Sequence, residues 1–337
     1  MRKIPSAGPS ITGSEIKYVS KAIKIGWGNK MNYYIDEFKK SFSRFTGIKY
    51  ILPTSHCTDA IHLAMLSLGI GKGDEVIVPD LTWVASAAPI IYVGAKPVFV
   101  DVDPKSWCIT SKSIESCITS KTKAIVAVDL LGNMPEWDKI IKLCKKKKIL
   151  IIEDASEAVG AKYKSIPSGN FGTISVFSFN ATKLIMSGQG GAFCTNNKKL
   201  YEKAKLLAHH GMDKVKSKKY YWSEKIGHNY NWTNIQAALA LAQLKRIKKL
   251  ISYKRELYKG YKYHLKDEKK IRLNSYSKNV ASDYWITAAI INKSLKLNKE
   301  KICKKFKKYK IDVRPMFYPL SSMKPFKKYT KKNISNK

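Results

Sequence analysis

The chain has 337 residues, of which 63 are Lys or Arg and 25 are Asp or Glu, so its formal net charge is +38 at pH 7. A hydrophobic content of 44% is enough to form a core and argues against intrinsic disorder. The longest uncharged apolar stretch, residues 84–95, contains Pro89 and falls far short of the roughly 20 residues that cross a membrane. No apolar leader follows Met1, so we expect a cytoplasmic protein without a membrane partner.

The cysteines and arginines exclude two further classes. The six cysteines form no CxxC pair, which is typical of reduced thiols rather than of a disulfide framework or a metal site. Only six of the basic residues are arginines. Because readers of nucleic acids rely on the bidentate contacts of Arg, the excess of Lys favours an ordinary solvated surface, and we expect no nucleic-acid partner.

The predicted elements alternate along the chain. The first helix begins near Thr12, which with Glu15 has the spacing of a capping box. Beyond it, a strand is predicted around Ile51, and short β-branched runs alternate with helical stretches. The remaining strands are predicted at residues 75–79, 96–100, 124–128, 149–153 and 174–177, and the helices at residues 59–68, 83–93 and 136–146. Continuous apolar runs of this kind favour strands buried on both faces of a sheet. The rhythm predicts an α/β fold with a mostly parallel sheet flanked by helices.

The C-terminal third has a different pattern. A second capping box, Thr233 with Gln236, opens a long predicted helix with apolar residues at steps of three and four. The helix leads to a lysine-rich section with strand candidates at residues 284–291 and 311–314. We interpret this section as a smaller domain.

Three candidate functional groups follow predicted strands, where open α/β sheets bind their ligands. Asp154 could bind a metal, act as a base, pair with a cationic ring nitrogen, or simply cap the next helix. Lys183 precedes a glycine cluster, and a partly desolvated amine there suits Schiff-base chemistry, unless it is an ordinary surface lysine. The turn at residues 55–59 precedes a helix whose first N–H groups can bind phosphate.

Together these groups match one arrangement. A phosphate seat, an acid for a pyridinium nitrogen and a lysine for an aldehyde are how a protein binds pyridoxal 5′-phosphate (PLP), whose ring then accepts electrons. We therefore expect PLP as the cofactor and no metal.

The sequence resembles the DegT/DnrJ/EryC1/StrS family of sugar aminotransferases, whose fold is the type I (aspartate aminotransferase-like) fold. The resemblance runs from about residue 4 to residue 326. It is carried by the stretches GPSITGSEI, SHCTDAIHLAM, GDEVIVPDLTWVASAAPIIYVGAKPVFVDVD, IIEDASEAVGA, SVFSFNATKLIMSGQGGAFCTN, GHNYNWTNIQAALALAQL and RPMFYPLSSM. It implies a large PLP-binding domain over residues 1–245 and a small C-terminal domain over residues 246–337. Family members usually continue for several tens of residues further, so we expect either a shortened small domain or a truncated chain.

The resemblance also implies roles for individual residues. Lys183 would be the catalytic lysine, which binds the cofactor's aldehyde and then carries protons. Asp154 would pair with the pyridinium nitrogen, and Glu157 would lie near the phenolic oxygen. The other implied cofactor contacts are Thr58, Asp59, Trp83, Ser178 and Asn229.

Two of these implied contacts carry further expectations. Trp83 would stack on the ring of the cofactor, unless it is a core tryptophan. Asn229 would reach the cofactor phosphate of the partner subunit, which implies a homodimer with shared active sites.

The chain departs from the family pattern at the predicted phosphate seat. Cys57 stands where a glycine is usual, and His56 stands where a small or amide residue is common. Asp59 would place a negative charge beside the phosphate, unless it caps the helix and its side chain points away.

The implied reaction has two halves, with L-glutamate as the amino donor and a nucleotide-linked keto sugar as the acceptor. The RPMFYPLSSM stretch resembles enzymes that form 4-amino-4,6-dideoxy sugars. We expect amination of dTDP- or UDP-4-keto-6-deoxyglucose at C4, of the viosamine type. The alternatives are a GDP-perosamine synthase and a C3-specific sugar aminotransferase.

The candidate substrate contacts are Asn180, Arg314 and Tyr318, although Arg314 could equally form a structural salt bridge. A sugar dehydratase of the same family is disfavoured, because those enzymes replace the lysine that this chain keeps as Lys183. The non-enzyme alternative is a protein that only binds the cofactor or a nucleic acid.

Overall fold

The computed structural model describes residues 3–213 and 221–330 of the chain. In chain order its helices are α1 (Gly13–Ile25), α2 (Tyr33–Thr46), α3 (Cys57–Leu68), α4 (Ala88–Tyr92), α5 (Ser111–Glu115), α6 (Trp137–Lys147), α7 (Lys198–Ala208), α8 (Asn234–Lys245), α9 (Ile247–His264) and α10 (Lys299–Lys308). Its strands are β1 (Tyr50–Thr54), β2 (Glu75–Pro79), β3 (Lys96–Val100), β4 (Thr122–Val128), β5 (Leu150–Asp154), β6 (Lys162–Tyr163), β7 (Ile166–Pro167), β8 (Ile174–Ser178), β9 (Gly191–Thr195), β10 (Ile271–Leu273), β11 (Val280–Ala281) and β12 (Ala289–Ile291).

A seven-stranded sheet forms the centre of the fold, in the order β1-β9-β8-β5-β4-β2-β3. Strand β9 runs antiparallel to both of its neighbours, and the other adjacent pairs are parallel. The predicted α/β fold with a mostly parallel sheet is therefore confirmed. Two small sheets accompany it, β10 with β12 and β11 with β6 and β7.

Two apolar clusters cover the two faces of the central sheet. Val76 and Val78 of β2 face the cluster that includes residues of α2, α3 and α8. Ile77, between them, faces the second cluster, which includes Trp137 and Ile140 of α6. Because successive side chains of a strand point to opposite faces, both sets can be buried only if helices cover both faces. This explains the continuous apolar runs in the sequence.

The predicted helix at residues 83–93 is only partly correct. Trp83 is extended, a single 3-10 turn covers Val84–Ser86, and the regular helix α4 covers only Ala88–Tyr92. Pro89 lies in the first turn of α4. An N–H group at this position would have no acceptor inside the helix, so proline loses no hydrogen bond there. Proline therefore favours a new helix start here rather than a continuous helix.

The C-terminal strand predictions are wrong in most of their length. In residues 284–291 only Ala289–Ile291 is a strand, paired with β10. Tyr284 has a φ of 53°, which a strand residue does not adopt. In residues 311–314 only Ile311 pairs, through a single bridge to Ile4.

The long predicted helix is broken at Arg246, between α8 and α9. The capping box of Thr233 and Gln236 that opens α8 is present as predicted. Arg246 leaves helical geometry, with a ψ of 5°, and its guanidinium reaches back to the N-terminal segment. The proposed domain division at residue 245 stays a prediction, and residues 331–337 of the proposed small domain lie outside the described residues. No helix in residues 3–213 or 221–330 is long and apolar enough to span a bilayer.

A buried ion pair joins the N-terminal helix to the break between α8 and α9. Glu15, 1% exposed, accepts a hydrogen bond from Arg246 Nη1 at 2.6 Å and another from Gln243 Nε2 at 2.8 Å. Thr12 donates to the other carboxylate oxygen of Glu15, which completes the predicted capping box. Burial alone would raise the pKa of Glu15, but hydrogen bonds from Thr12 and Arg246 lower it to about 2.

We expect Glu15→Gln to reduce the free energy of unfolding by about 3 kcal/mol, because it leaves the largely buried guanidinium of Arg246 without its counter-charge. The folded pKa is lower than the unfolded value of 4.5, so this contribution is complete above pH 4.5 and is lost as the pH falls towards 2. Urea unfolding at several pH values measures both effects. Glu37→Gln, which removes an exposed ion pair with Lys40, is the control and should change little. An equal loss of unfolding free energy in Glu15→Gln and Glu37→Gln would contradict a stabilising role for the buried ion pair.

Candidate active site

The site lies at one edge of the central sheet, where three parallel strands end. Asp154 and Ser178 are the last residues of β5 and β8. Gly191, the first residue of the antiparallel β9, pairs with both Ser178 and Thr54, the last residue of β1. Helix α3 begins two residues after Ser55. The sheet order therefore brings the predicted acid, the predicted serine and the start of α3 to a common edge.

The predicted phosphate seat forms where Gly191 packs against the start of α3. A Cβ on Gly191 would lie 2.5 Å from the backbone nitrogen of Cys57 and 2.6 Å from its Cα. Only glycine permits this approach. The family's glycine before Thr58 is absent here, and the close contact is provided from the strand side instead. The first N–H groups of α3 have no partner inside the helix, so they can bind an anion.

The Asp59 side chain lies against the two residues that precede the start of α3. Its Oδ2 atom accepts a hydrogen bond from Ser55 Oγ at 2.6 Å and lies 3.2 Å from His56 Nδ1. The expectation that Asp59 caps the helix and points away from the phosphate stays a prediction. Thr58, half-buried in the first turn, remains at the seat.

Asp154 is buried and is held by neighbouring hydroxyl and amide groups. Its Oδ2 accepts a hydrogen bond from Ser86 Oγ at 2.8 Å, and its Oδ1 accepts one from Ser156 N at 3.2 Å. Ser86 Oγ lies 3.1 Å from Thr82 Oγ1, so a second hydroxyl supports the first. Asp154 is 2% exposed, and both of its oxygens have a fixed direction. Residues 155–161 form turns and no helix, so Asp154 does not cap a helix.

Lys183 lies in a turn between β8 and β9 that Asn180 organises. The Asn180 carbonyl accepts a hydrogen bond from Lys183 N at 2.9 Å. Asn180 Oδ1 accepts from Thr182, and Asn180 Nδ2 donates to Gln189 Oε1 at 3.1 Å. These are the local bonds by which Asn forms turns. Asn180 thus shapes the backbone that carries Lys183, and a role in the pocket wall stays a prediction.

The amine of Lys183 lies between a carboxylate and an indole ring. Its Nζ is 3.3 Å from Glu157 Oε1 and 3.9 Å from the ring centroid of Trp285. The side chain is only 14% exposed, so Lys183 is not an ordinary surface lysine. The other oxygen of Glu157 accepts a hydrogen bond from Leu131 N at 3.0 Å, which fixes the carboxylate.

Electrostatics shows that the three candidate groups converge. Cys57 is half-buried, and desolvation raises the pKa of its thiol well above the usual value. The charge of Asp154 raises this pKa further, and that of Lys183 lowers it. The charges of both groups therefore act on Cys57, at the start of α3.

The rim of the site is formed by two segments that are distant in the sequence. Trp83 is 58% exposed, which excludes the core-tryptophan alternative, and its ring lies 5.8 Å from that of Phe317. Asp80, just before Trp83, accepts hydrogen bonds from Ser321 N and Ser321 Oγ, both at 2.7 Å. This buried contact attaches the RPMFYPLSSM segment beside the end of β2.

The remaining candidate residues lie at the surface. The Arg314 side chain is 69% exposed and its Nε lies 3.9 Å from Asp312 Oδ2, and its role in substrate binding stays a prediction. The ring of Tyr318 lies 4.1 Å from Lys299 Nζ. Asn229 is exposed, and its side-chain oxygen accepts a hydrogen bond from Asn231. None of the hydrogen bonds of the described residues joins the Asn229 side chain to the predicted phosphate seat of its own subunit.

The residues present fit PLP. The glycine-lined seat with Ser178 and Thr58 suits the phosphate, buried Asp154 suits a protonated ring nitrogen, and Lys183 suits the aldehyde. In residues 3–213 and 221–330 no three or more His, Cys, Asp or Glu side chains are grouped to hold a metal ion. Fold and site together define a PLP-dependent aminotransferase of fold type I.

Comparison with known proteins gives the family. Residues 9–336 match the DegT/DnrJ/EryC1/StrS aminotransferase family, and the chain belongs to it. The GDP-perosamine synthase of Escherichia coli O157:H7 is 38% identical over 99% of this chain and 90% of that protein. The GDP-perosamine synthase of Caulobacter vibrioides is 37% identical over 96% of this chain and 87% of that protein. An aminotransferase of Streptococcus pneumoniae in its PLP form superposes with a TM-score of 0.87 at 26% identity, covering 97% of this chain and 88% of that chain.

Three residues of the site were not predicted from the sequence. Ser86 follows Trp83 by three positions, so its place in the same loop was a signal that could have been used. Gly191 ends a glycine-rich stretch, but its contact with Cys57 depends on the pairing of β1 with β9. Trp285 has no signal of its own, because it lies in a segment interpreted as a strand.

We expect Gly191→Ala to weaken binding of PLP by about tenfold or more, because the new methyl group must push the start of α3 away from β9. Titration of the cofactor by fluorescence measures the affinity, and thermal unfolding shows whether the fold is kept. Gly260→Ala is the matched control, because nothing lies within 4 Å of its added Cβ. Ser178→Ala adds no bulk and should weaken binding in the same direction. Wild-type affinity in Gly191→Ala would place the phosphate elsewhere.

Proposed function

We propose that the protein transfers the amino group of L-glutamate to the C4 keto group of a GDP-linked 4-keto-6-deoxymannose, which forms GDP-perosamine. The observation that carries the catalytic part is the position of the shielded Lys183 Nζ beside Glu157, at the end of the sheet where the buried Asp154 also lies. The choice of sugar rests on the relatives, which are named GDP-perosamine synthases. This choice replaces the viosamine-type substrate expected from the sequence.

Each residue of the site has a defined task in this proposal. When bound, PLP supplies an aldehyde for amines and a ring that accepts the electron pair left at the donor carbon. Asp154, fixed by Ser86, keeps the ring nitrogen protonated. Lys183 Nζ removes the proton from Cα of glutamate and later delivers protons to the sugar carbon. Trp83 is exposed at the rim, where it can cover the ring.

A homodimer with shared sites is part of the proposal. The chain that leads to Asn229 exposes three large apolar side chains, Tyr221 at 88%, Trp222 at 55% and Ile226 at 94%. Grouped apolar side chains of this size are typical of surfaces that meet another protein. A partner subunit on this surface would bring Asn229 near a site other than its own.

We expect purified protein to aminate the GDP-linked keto sugar faster than the dTDP- and UDP-linked ones, with glutamate as the donor. Mass spectrometry and NMR identify the product and the aminated carbon. Lys183→Ala should lose turnover and keep its thermal stability. Lys139→Ala, at a surface lysine that pairs with exposed Glu136, is the control and should keep full activity. Amination at C3, or preference for another nucleotide, would overturn the choice of sugar and leave the role of Lys183 intact.

Shared sites predict complementation between two inactive variants. We expect Lys183→Ala and Asn229→Ala to be impaired separately and to recover activity when mixed and allowed to exchange subunits. Each mixed dimer then has one intact site, so about one quarter of all sites should be active at equal amounts. Activity that stays at the mean of the two separate variants would show that Asn229 serves its own subunit.

A further inference from the structure

We propose that Trp285 is a positioning residue for Lys183: its indole ring holds the amine whenever the amine is not joined to the cofactor. The inference rests on the proposed role of Lys183. Trp285 lies 102 positions after Lys183 in the sequence, so only the fold brings the two side chains together.

The contact between the two side chains is a cation–π interaction. Lys183 Nζ lies 3.9 Å from the ring centroid of Trp285, on a side chain that is 14% exposed. A cation over an indole face is stabilised more strongly when both groups are shielded from water. The lysine stem has four flexible carbons, and the ring and the Glu157 carboxylate at 3.3 Å together restrict it.

The ring is fixed to the same turn that carries the lysine. Trp285 Nε1 donates a hydrogen bond of 2.8 Å to the carbonyl of Thr182, the residue before Lys183. Trp285 is only 6% exposed. The indole and the lysine backbone therefore keep a constant distance, and the ring cannot turn away without losing this bond.

The backbone of Trp285 is fixed to the large sheet by a buried carboxylate. Asp283 Oδ1 accepts a hydrogen bond from Trp285 N at 3.2 Å, and Asp283 Oδ2 accepts one from Gly160 N at 3.0 Å. A Cβ on Gly132 would collide with the same carboxylate. Asp283 is thus enclosed by the loops that follow β4 and β5, the strands that lead to the site.

Backbone strain in this segment points to a specific purpose. Tyr284, between Asp283 and Trp285, has a φ of 53°, which is unfavourable for an aromatic residue. Such strain persists only where the surroundings impose it. Here the Tyr284 ring packs at 4.2 Å from that of Tyr258 and at 4.7 Å from that of Tyr276. The result of this conformation is the placement of the indole against Lys183.

A purely structural tryptophan would behave differently in one respect. If Trp285 only fills space, its replacement changes stability and cofactor binding whether or not Lys183 is present. If it acts through Lys183, its effect on the cofactor disappears once the amine is removed. A double-mutant cycle between the two positions separates these cases.

The experiment compares Trp285→Phe and Trp285→Leu in the full chain. Covalent attachment of PLP to Lys183 is fixed with borohydride at short times and located by peptide mass mapping. We expect Trp285→Leu to slow attachment by about 3- to 30-fold and Trp285→Phe, which keeps an aromatic face, to slow it less. The single-turnover rate with glutamate should fall in the same order, with little change in KM.

The same two replacements are then made in Lys183→Ala, where PLP can bind only without a covalent link. We expect them to leave the dissociation constant of PLP unchanged within about twofold in this background. Equal weakening of PLP binding in both backgrounds, or equal attachment rates in Trp285→Leu and the parent, would overturn the role of Trp285. Attachment of PLP to a lysine other than Lys183 would instead overturn the proposed function.

Discussion

The close contact between Gly191 and the start of α3 is the constraint on which the site depends. The parallel strands β1, β5 and β8 end here, and the antiparallel β9 begins here. In the middle of β5, β8 and β9 the side chains on both faces of the sheet are buried. Polar groups can therefore reach a ligand only where the strands end. By bringing β9 against Cys57, the missing Cβ of Gly191 sets how far the phosphate seat lies from Ser178 and, through the sheet, from Asp154.

Two neighbouring acids show how the alternation of a strand separates structure from function. Asp154 faces the site and bonds to Ser86, whereas Glu153 points to the opposite face. There Glu153 accepts hydrogen bonds from the backbone N–H groups of Phe171 and Gly172. Burial raises the pKa of Glu153, and these donors oppose that rise. The two carboxylates are adjacent in sequence, and only the side of the sheet on which each one lies decides its role.

The sequence was informative where local pattern and local structure coincide. The bounds of β2 and β3 follow from apolar runs, and Asp154, Ser178 and Lys183 lie next to predicted strands, so their common edge could be inferred. The helix break at Arg246 could not, because it depends on a buried contact with Glu15, 231 positions away. Trp285 was missed for the same reason: its partner is set by tertiary packing, and the strain at Tyr284 leaves no mark in the pattern of apolar residues.

The large positive charge cannot by itself orient a nucleotide sugar. A net charge of +38 attracts a diphosphate over distance, but salt screens such fields beyond about 8 Å at physiological ionic strength. For the proposed function, we infer that orientation comes from contacts at the rim, where Trp83 and Phe317 face each other and the Asp80–Ser321 bonds fix the second segment. Because those bonds are buried, the rim is positioned by the same sheet edge that positions Lys183. The end of the sheet thus fixes both the rim and the catalytic lysine of the proposed function.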